Sequence, residues 1–282
     1  MPDFTGWTQT GGGLFQAAVD TTPTLPPGFY STTLIQGALY FILDEESDRT
    51  VLRFPGSPTD AVVAELEDFW TKGAVFDKHG LPHKRGILLW GPPGSGKSCT
   101  IQLIARDVIE RGGLVLEFSS SFLSAYRTLR AVEPERPIVV LMEDLDSVIT
   151  PQNESGILNV LDGIGEMTKV AFIATTNYPE KLVDRIINRP SRFDRKVLIG
   201  HPSEPSRVVY LESLGLEGDE VDVQRWAKDT EGFSLAHLKE MFVAVVILGN
   251  SYAATLKQLR SMSERVDSFQ GEGRDSGFGV YA

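Results

Sequence analysis

The feature that most limits how this chain can fold is the loop Gly91-Pro92-Pro93-Gly94-Ser95-Gly96-Lys97-Ser98. It lies between an apolar run, Gly86-Ile87-Leu88-Leu89-Trp90, and a segment with helical spacing from Lys97 to Arg111. The pattern G-x-x-x-x-G-K-[ST] in that strand, loop, helix setting is a phosphate cradle. Its glycines let backbone N–H groups face phosphate oxygens, and the helix N-terminus adds partial positive charge. Lys97 is placed to reach the β- and γ-phosphates of a nucleotide, and Ser98 to ligate magnesium. Cys99 closes this nucleotide-contacting segment; as the single cysteine it can form no internal disulfide, so its thiol is read as structural and a reducing compartment fits.

Beyond the loop, apolar runs at Leu114 to Phe118, Ile138 to Met142 and Val170 to Ala174 alternate with helical patterns such as Ser121 to Arg130. That alternation predicts a parallel sheet with helices on both faces, the α/β fold of P-loop NTPases, with ligands at the carboxyl ends of the strands. Ser57-Pro58-Thr59-Asp60 reads as a helix start, with a capping Ser and Pro in the first turn. After Pro202 the pattern is helical throughout (Ser206 to Leu214, Val221 to Asp229, Ser234 to Leu248, Ala253 to Met262), which predicts a small α-helical lid. Residues 1–56 read as an irregular Gly-, Thr- and Pro-rich arm followed by a hairpin of Leu39–Leu43 with Thr50–Phe54. The α/β domain takes 57–201, the lid 202–262, and a polar, Gly-rich disordered tail 263–282.

Three strand ends carry chemistry. Ile138-Val139-Val140-Leu141-Met142 delivers Glu143-Asp144-Leu145-Asp146 to the edge where phosphates lie, the place of a Walker B motif. Hydrolysis at phosphorus needs one carboxylate for magnesium's water shell and one to orient the attacking water. Position assigns Glu143 to the metal and Asp144 to the water, with either open as the base; Asp146 is read equally as a helix cap. The next strand ends in Thr175-Thr176-Asn177, where the Asn177 amide is at a γ-phosphate sensor position. The densest basic cluster is Arg185, Arg189, Arg192, Arg195 and Lys196.

A formal charge of -11 argues against broad contact with nucleic acid or anionic membrane. No run approaches the ~18 apolar residues of a membrane span, and Met1-Pro2-Asp3-Phe4 opens neither a secretory nor a mitochondrial leader, so a cytoplasmic, membrane-free protein is expected.

Taken together, these motifs resemble AAA proteins. Arg189-Pro190-Ser191-Arg192-Phe193-Asp194-Arg195 is similar to that family's Arg-Pro-Gly-Arg-Phe-Asp-Arg segment, with Ser191 for Gly. The resemblance implies that Arg189 and Arg192 act on the nucleotide of an adjacent subunit, and hence a homo-oligomeric ring, a hexamer, that hydrolyses ATP with Mg2+. Arg195 reads instead as a structural partner of an acid. The Glu-Asp order at 143–144 reverses the family's usual Asp-Glu. In the lid, Gly232-Phe233-Ser234-Leu235-Ala236-His237-Leu238 resembles the segment that approaches base and ribose, which makes Ala236 an adenine contact.

Residues 69–200, through His79 to Gly86, Ser155 to Gly163 and Thr175 to Leu182, look most like the branch of the mitochondrial chaperone that inserts the Rieske iron–sulfur protein. Within that likeness His79 and His83 are structural, not metal ligands, and the chain reads as a compact prokaryotic or phage-type relative. The segment between Phe118 and Ile138 lacks the aromatic-hydrophobic-glycine tripeptide of threading unfoldases; Phe122-Leu123 is the nearest substitute, and Phe122 reads as core. The expected activity is therefore ATP-driven remodelling or assembly of a protein client. The alternatives are a nucleic-acid motor or loader and a nucleotide-gated structural ring.

Overall fold

A computed structural model describes residues 6–11, 13–18, 22–44, 52–54, 57–149, 154–163, 167–182, 192–216 and 222–271. Residues 1–200 and 201–282 form two compact units. In the first, a nine-stranded sheet runs in the order β1-β2-β4-β3-β6-β7-β8-β5-β9. Its strands are β1 (Gly6–Gly11), β2 (Leu14–Ala18), β3 (Gly28–Ile35), β4 (Ala38–Asp44), β5 (Lys84–Trp90), β6 (Leu114–Glu117), β7 (Ile138–Met142), β8 (Val170–Thr176) and β9 (Arg195–Leu198). From β3 outward to β9 every pairing is parallel, while β1 to β4 pair antiparallel. The α/β architecture expected from the alternating pattern is the one observed.

β7 and β8 are buried at every position. Because successive side chains point to opposite faces, their residues divide between two cores. Val139, Leu141, Ala171 and Ile173 join α1 (Pro58–Thr71), which the short α2 (Gly73–Lys78) follows, and α3 (Lys97–Glu110) through Val62, Leu66, Ile104 and Val108. Ile138, Val140, Met142, Val170 and Phe172 join α4 (Phe122–Val132) and the N-terminal strands through Phe122, Leu129, Trp7 and Phe41. Helix α1 begins as the sequence predicts: the Ser57 hydroxyl accepts the Asp60 N–H at 3.1 Å and Pro58 opens the first turn. Phe122 is core and not a loop residue. His83 is buried as well, its ring set among Phe69 and Phe76 and its Nε2 2.9 Å from the Phe69 carbonyl oxygen.

The N-terminal region departs from the sequence reading. Instead of an irregular arm, β1 and β2 form, with Gly13 (φ 74°) in the turn between them. Instead of pairing with 50–54, β4 pairs with β3 through a two-residue turn, Gln36 (φ 51°) and Gly37 (φ 83°), the left-handed pair that matches strand twist. Residues 52–54 are outside any strand, and 50–51 lie outside the described residues. What holds β1 down is a buried carboxylate. Glu133 accepts the Trp7 indole N–H (2.8 Å) and the Leu25 N–H (3.0 Å) on one oxygen and pairs with Arg136 on the other; Arg136 also donates to the Leu25 carbonyl at 2.8 Å.

In the second unit Glu204–Ser213, Val223–Asp229, Leu235–Phe242 and Tyr252–Gly271 are helices, with a π-helical turn at Val243–Ile247. The last helix carries past Ser263, where the sequence reading begins a disordered tail; 272–282 lie outside the described residues. No helix among the described residues is long and apolar enough to cross a membrane.

Removing the Glu133 carboxylate leaves Arg136 and two N–H donors without their buried acceptor, a loss of about 3–5 kcal/mol. Glu133→Ala is therefore expected to lower the thermal unfolding midpoint by several degrees and to expose Trp7, read as a red-shifted emission.

Candidate nucleotide site

The phosphate cradle leaves the sheet at Trp90 and turns through Gly91 (φ 155°), Gly94 (φ 72°) and Gly96 (φ 106°) before α3 begins at Lys97. Glycine at 91 is a steric requirement, since a Cβ there would sit 2.1 Å from the Ile199 carbonyl oxygen. The loop is tied to its neighbours by the Gly91 N–H donating to the Thr176 carbonyl (3.3 Å) and the Ile199 N–H donating to the Trp90 carbonyl (2.8 Å). Lys97, only 8% exposed, folds back to donate to the carbonyls of Gly91 (2.8 Å) and Pro92 (2.9 Å). Burial lowers its pKa, and the charges of Asp144 and Asp146 oppose that shift. Those two carboxylates, from the end of β7, are thus the acids that act electrostatically on the cradle lysine.

Ser95 is buried with a hydroxyl that has no partner among the described residues, while Ser98 is exposed on the first turn of α3. Pro92, Pro93 and Cys99 complete the loop and the helix start, with burial pushing the Cys99 thiol above its ordinary value. Loop geometry, a buried hydroxyl without a partner among the described residues, and a buried ammonium held only by loop carbonyls there together fit a bound polyphosphate.

At the end of β7 the chain turns sharply through Asp144, whose φ of 46° is unusual for a residue with a side chain. Its N–H donates to the Thr175 hydroxyl (3.0 Å), and its carboxylate accepts from the Asn177 amide (3.3 Å). The sensor position and the strand-end acid thus lie side by side. Burial first, then the charges of Asp144 and Glu117, push the Glu143 carboxyl above its usual range. Glu143 and Glu117 also line a cavity of about 740 Å3 with Tyr30 and Asp44. Neither Glu143, Asp144 nor Asp146 forms an ion pair among the described residues, although Asp144 and Asp146 act on Lys97 at longer range. Asp146 is not the helix cap: Asp144 occupies that position, and Asp146 accepts the Thr176 hydroxyl at 2.6 Å. Sequence reasoning gave Thr175 and Thr176 no role of their own, although both stand directly before Asn177.

The arginines are divided. Arg189 lies outside the described residues. Arg192 is 3% exposed, held within the chain's own interior, so acting across a subunit boundary requires its release. Arg195 pairs with Glu65, which also takes two hydrogen bonds from Arg85 at 2.9 and 2.6 Å, as expected for a structural arginine. Asp194 accepts the Gly86 N–H at 2.8 Å, and a Cβ on Gly86 would lie 2.2 Å from the Arg192 carbonyl oxygen, so this segment is clamped directly on β5. Ala236 lies in the second unit, in the helix capped by the Ser234 hydroxyl, which accepts the His237 N–H at 3.3 Å. Burial lowers the His237 pKa, and His201 lowers it further.

Comparison with known proteins agrees with this geometry. Residues 87–201 match the family described as "ATPase family associated with various cellular activities (AAA)". The chain carries an AAA ATPase domain. Over 196 residues, 64% of this chain and 43% of the relative, it is 30% identical to a probable mitochondrial chaperone bcs1 of Schizosaccharomyces pombe. It is 29% identical over 193 residues (59% of this chain, 48% of the relative) to the 26S proteasome regulatory subunit 10B of Dictyostelium discoideum. With the ATP-dependent zinc metalloprotease FtsH of Rhodococcus erythropolis it shares 28% over 230 residues, 73% of this chain and 27% of that protein. The chain spans less than half the length of these relatives, and the similar identities do not single out one branch. Members of the family are in general ATPases that bind ATP and form oligomeric rings, with chaperone and proteasome-type proteins among the relatives.

Replacing Lys97 by Ala removes the one cradle cation that reaches both loop carbonyls. ATP affinity, measured by calorimetry, is expected to fall roughly a hundredfold or more, in line with the loss of a charged hydrogen bond to a buried anion.

Proposed function

We propose that this AAA domain hydrolyses ATP with Mg2+ and couples turnover, in a homo-oligomeric ring such as a hexamer, to remodelling or assembly of a protein client. The observation that carries the reading is the convergence of the Lys97 cradle with an acid and an amide in contact, Asp144 and Asn177. In this scheme backbone N–H groups of Gly91 to Ser98 and the Lys97 ammonium bind the β- and γ-phosphates. Lys97 exchanges its two carbonyl acceptors for phosphate oxygens.

Adjacent exposed carboxylates at Glu143 and Asp144 fit a divalent cation, and Ser98 with Glu143 would hold magnesium largely through its waters. The metal, when bound, neutralises charge developing on the phosphates. Asp144 orients and polarises the attacking water, and Asn177 holds that water or the γ-phosphate in line. Arg189 and Arg192 serve a neighbour's nucleotide, and Ala236 contacts adenine. The acidic balance of the chain supports a protein client over nucleic acid.

Asp144→Asn keeps the side-chain shape and removes the base. It is expected to bind ATP within a few-fold of wild type while phosphate release slows roughly a hundredfold or more. Wild-type release should also require Mg2+, and Glu143→Gln should raise the Mg2+ concentration that supports half-maximal rate. Unchanged turnover in Asp144→Asn would remove Asp144 from the chemistry. A wild-type chain that binds ATP without releasing phosphate would instead make the domain a nucleotide-gated clamp.

A further inference from the structure

The backbone ladder between β7 and β8 ends at Met142 opposite Ala174, yet the two strand ends stay fastened beyond it by side chains. Thr176 stands at the centre of that fastening. Its side chain is 0% exposed; its hydroxyl donates to Asp146 Oδ1 at 2.6 Å and accepts the Tyr178 N–H at 3.0 Å. Its carbonyl oxygen accepts the Gly91 N–H, the first N–H of the phosphate cradle, at 3.3 Å. One residue therefore touches the acid turn, the sensor turn and the cradle.

A hydroxyl has one proton to give, so the direction of this network is set by Asp146. A carboxylate can only accept, which forces the Thr176 proton toward it and leaves a lone pair for Tyr178 N–H. The residues on both sides of Asn177 are then held through the same oxygen. Asn177 itself reaches Asp144 by a longer and exposed contact of 3.3 Å, the sort that water or substrate can replace. Fixing the backbone through buried Thr176 while leaving the amide free to exchange partners is what a group that must meet an arriving phosphate or water requires.

We propose that Asp146 and Thr176 form a positioning pair that sets the separation of the Asp144 carboxylate and the Asn177 amide, so that both address one phosphate and one water. Neither side chain of the pair touches nucleotide. The charge of Asp146 also favours the protonated Lys97 that burial disfavours, which links the pair to the cradle a second time. This inference rests on the ATPase reading given above.

The test is steady-state phosphate release and ATP binding for Thr176→Val, Thr176→Ser and Asp146→Ala in the full chain. Thr176→Val keeps the volume and removes the hydroxyl. Its kcat is expected to fall roughly ten- to a hundredfold, the scale of a small misplacement of reacting groups, with ATP Kd within about threefold of wild type. Thr176→Ser restores the hydroxyl and should return most of kcat.

Asp146→Ala should show the same split, and the double variant Asp146→Ala/Thr176→Val should be little worse than either single change, because both break one bond. Should Thr176→Val fail to fold, the kcat and Kd of Asp146→Ala decide the matter alone. Wild-type kcat in a folded Thr176→Val, or parallel loss of kcat, affinity and melting temperature unrelieved by Ser, would overturn the pairing. Failure of the ATPase reading is distinct from these, since wild type itself would then release no phosphate.

Discussion

Strands apolar on both faces can be buried only inside a sandwich, and that constraint governs this chain. β7 and β8 are apolar from Ile138 to Met142 and from Val170 to Ala174, so helices and the N-terminal strands must cover both sides of the sheet. Parallel pairing brings the carboxyl ends of β5, β7 and β8 to one edge. Polar residues are admissible only there, where the strands stop. The cradle, the acids and the sensor amide collect at this edge because the interior excludes them.

At that edge the electrostatics are deliberately unbalanced. An ammonium is buried against two carbonyls, and carboxylates at 143, 144 and 146 have no ion-pair partner among the described residues. Elsewhere the molecule satisfies such groups: Glu133 with Arg136, Glu65 with Arg85 and Arg195. Exposed carboxylates at 143 and 144 beside a buried ammonium are a charge arrangement that a polyphosphate and its cation would complete.

Much of this was legible in the sequence because it is written locally. A continuous apolar run predicts a buried strand, and Ser57-Pro58 predicts a helix start from neighbours alone. Of the N-terminal strands only β4 was legible, as the run Leu39–Leu43; its partner β3 and the strands β1 and β2 were not. Trp7 and Phe15 sit in a Gly- and Thr-rich stretch with no sustained period, and the group that anchors Trp7 is 126 residues away. The β3–β4 turn uses Gln36-Gly37, while the acidic stretch from Asp44 looks more like a turn by composition. The same reason hid the partner of Asp146: Thr176 is 30 positions distant, so local sequence offers that acid a capping role or a place among the strand-end acids, but not this bond. The burial of Arg192 also depends on a long-range approach, its backbone lying against Gly86.

The central claim, an ATP site completed between copies of this chain, is tested most directly by mixing two variants that are inactive for different reasons. Asp144→Asn lacks the proposed base, and Arg192→Ala lacks the arginine proposed to serve a neighbour. If one subunit supplies the acid and the next the arginine, mixed assemblies should recover a clear fraction of the wild-type ATPase rate that neither variant has alone, and the rate per subunit of wild type should rise with protein concentration. A mixture no more active than its parts, with a wild-type rate independent of concentration, would contradict the account and confine catalysis to the single chain.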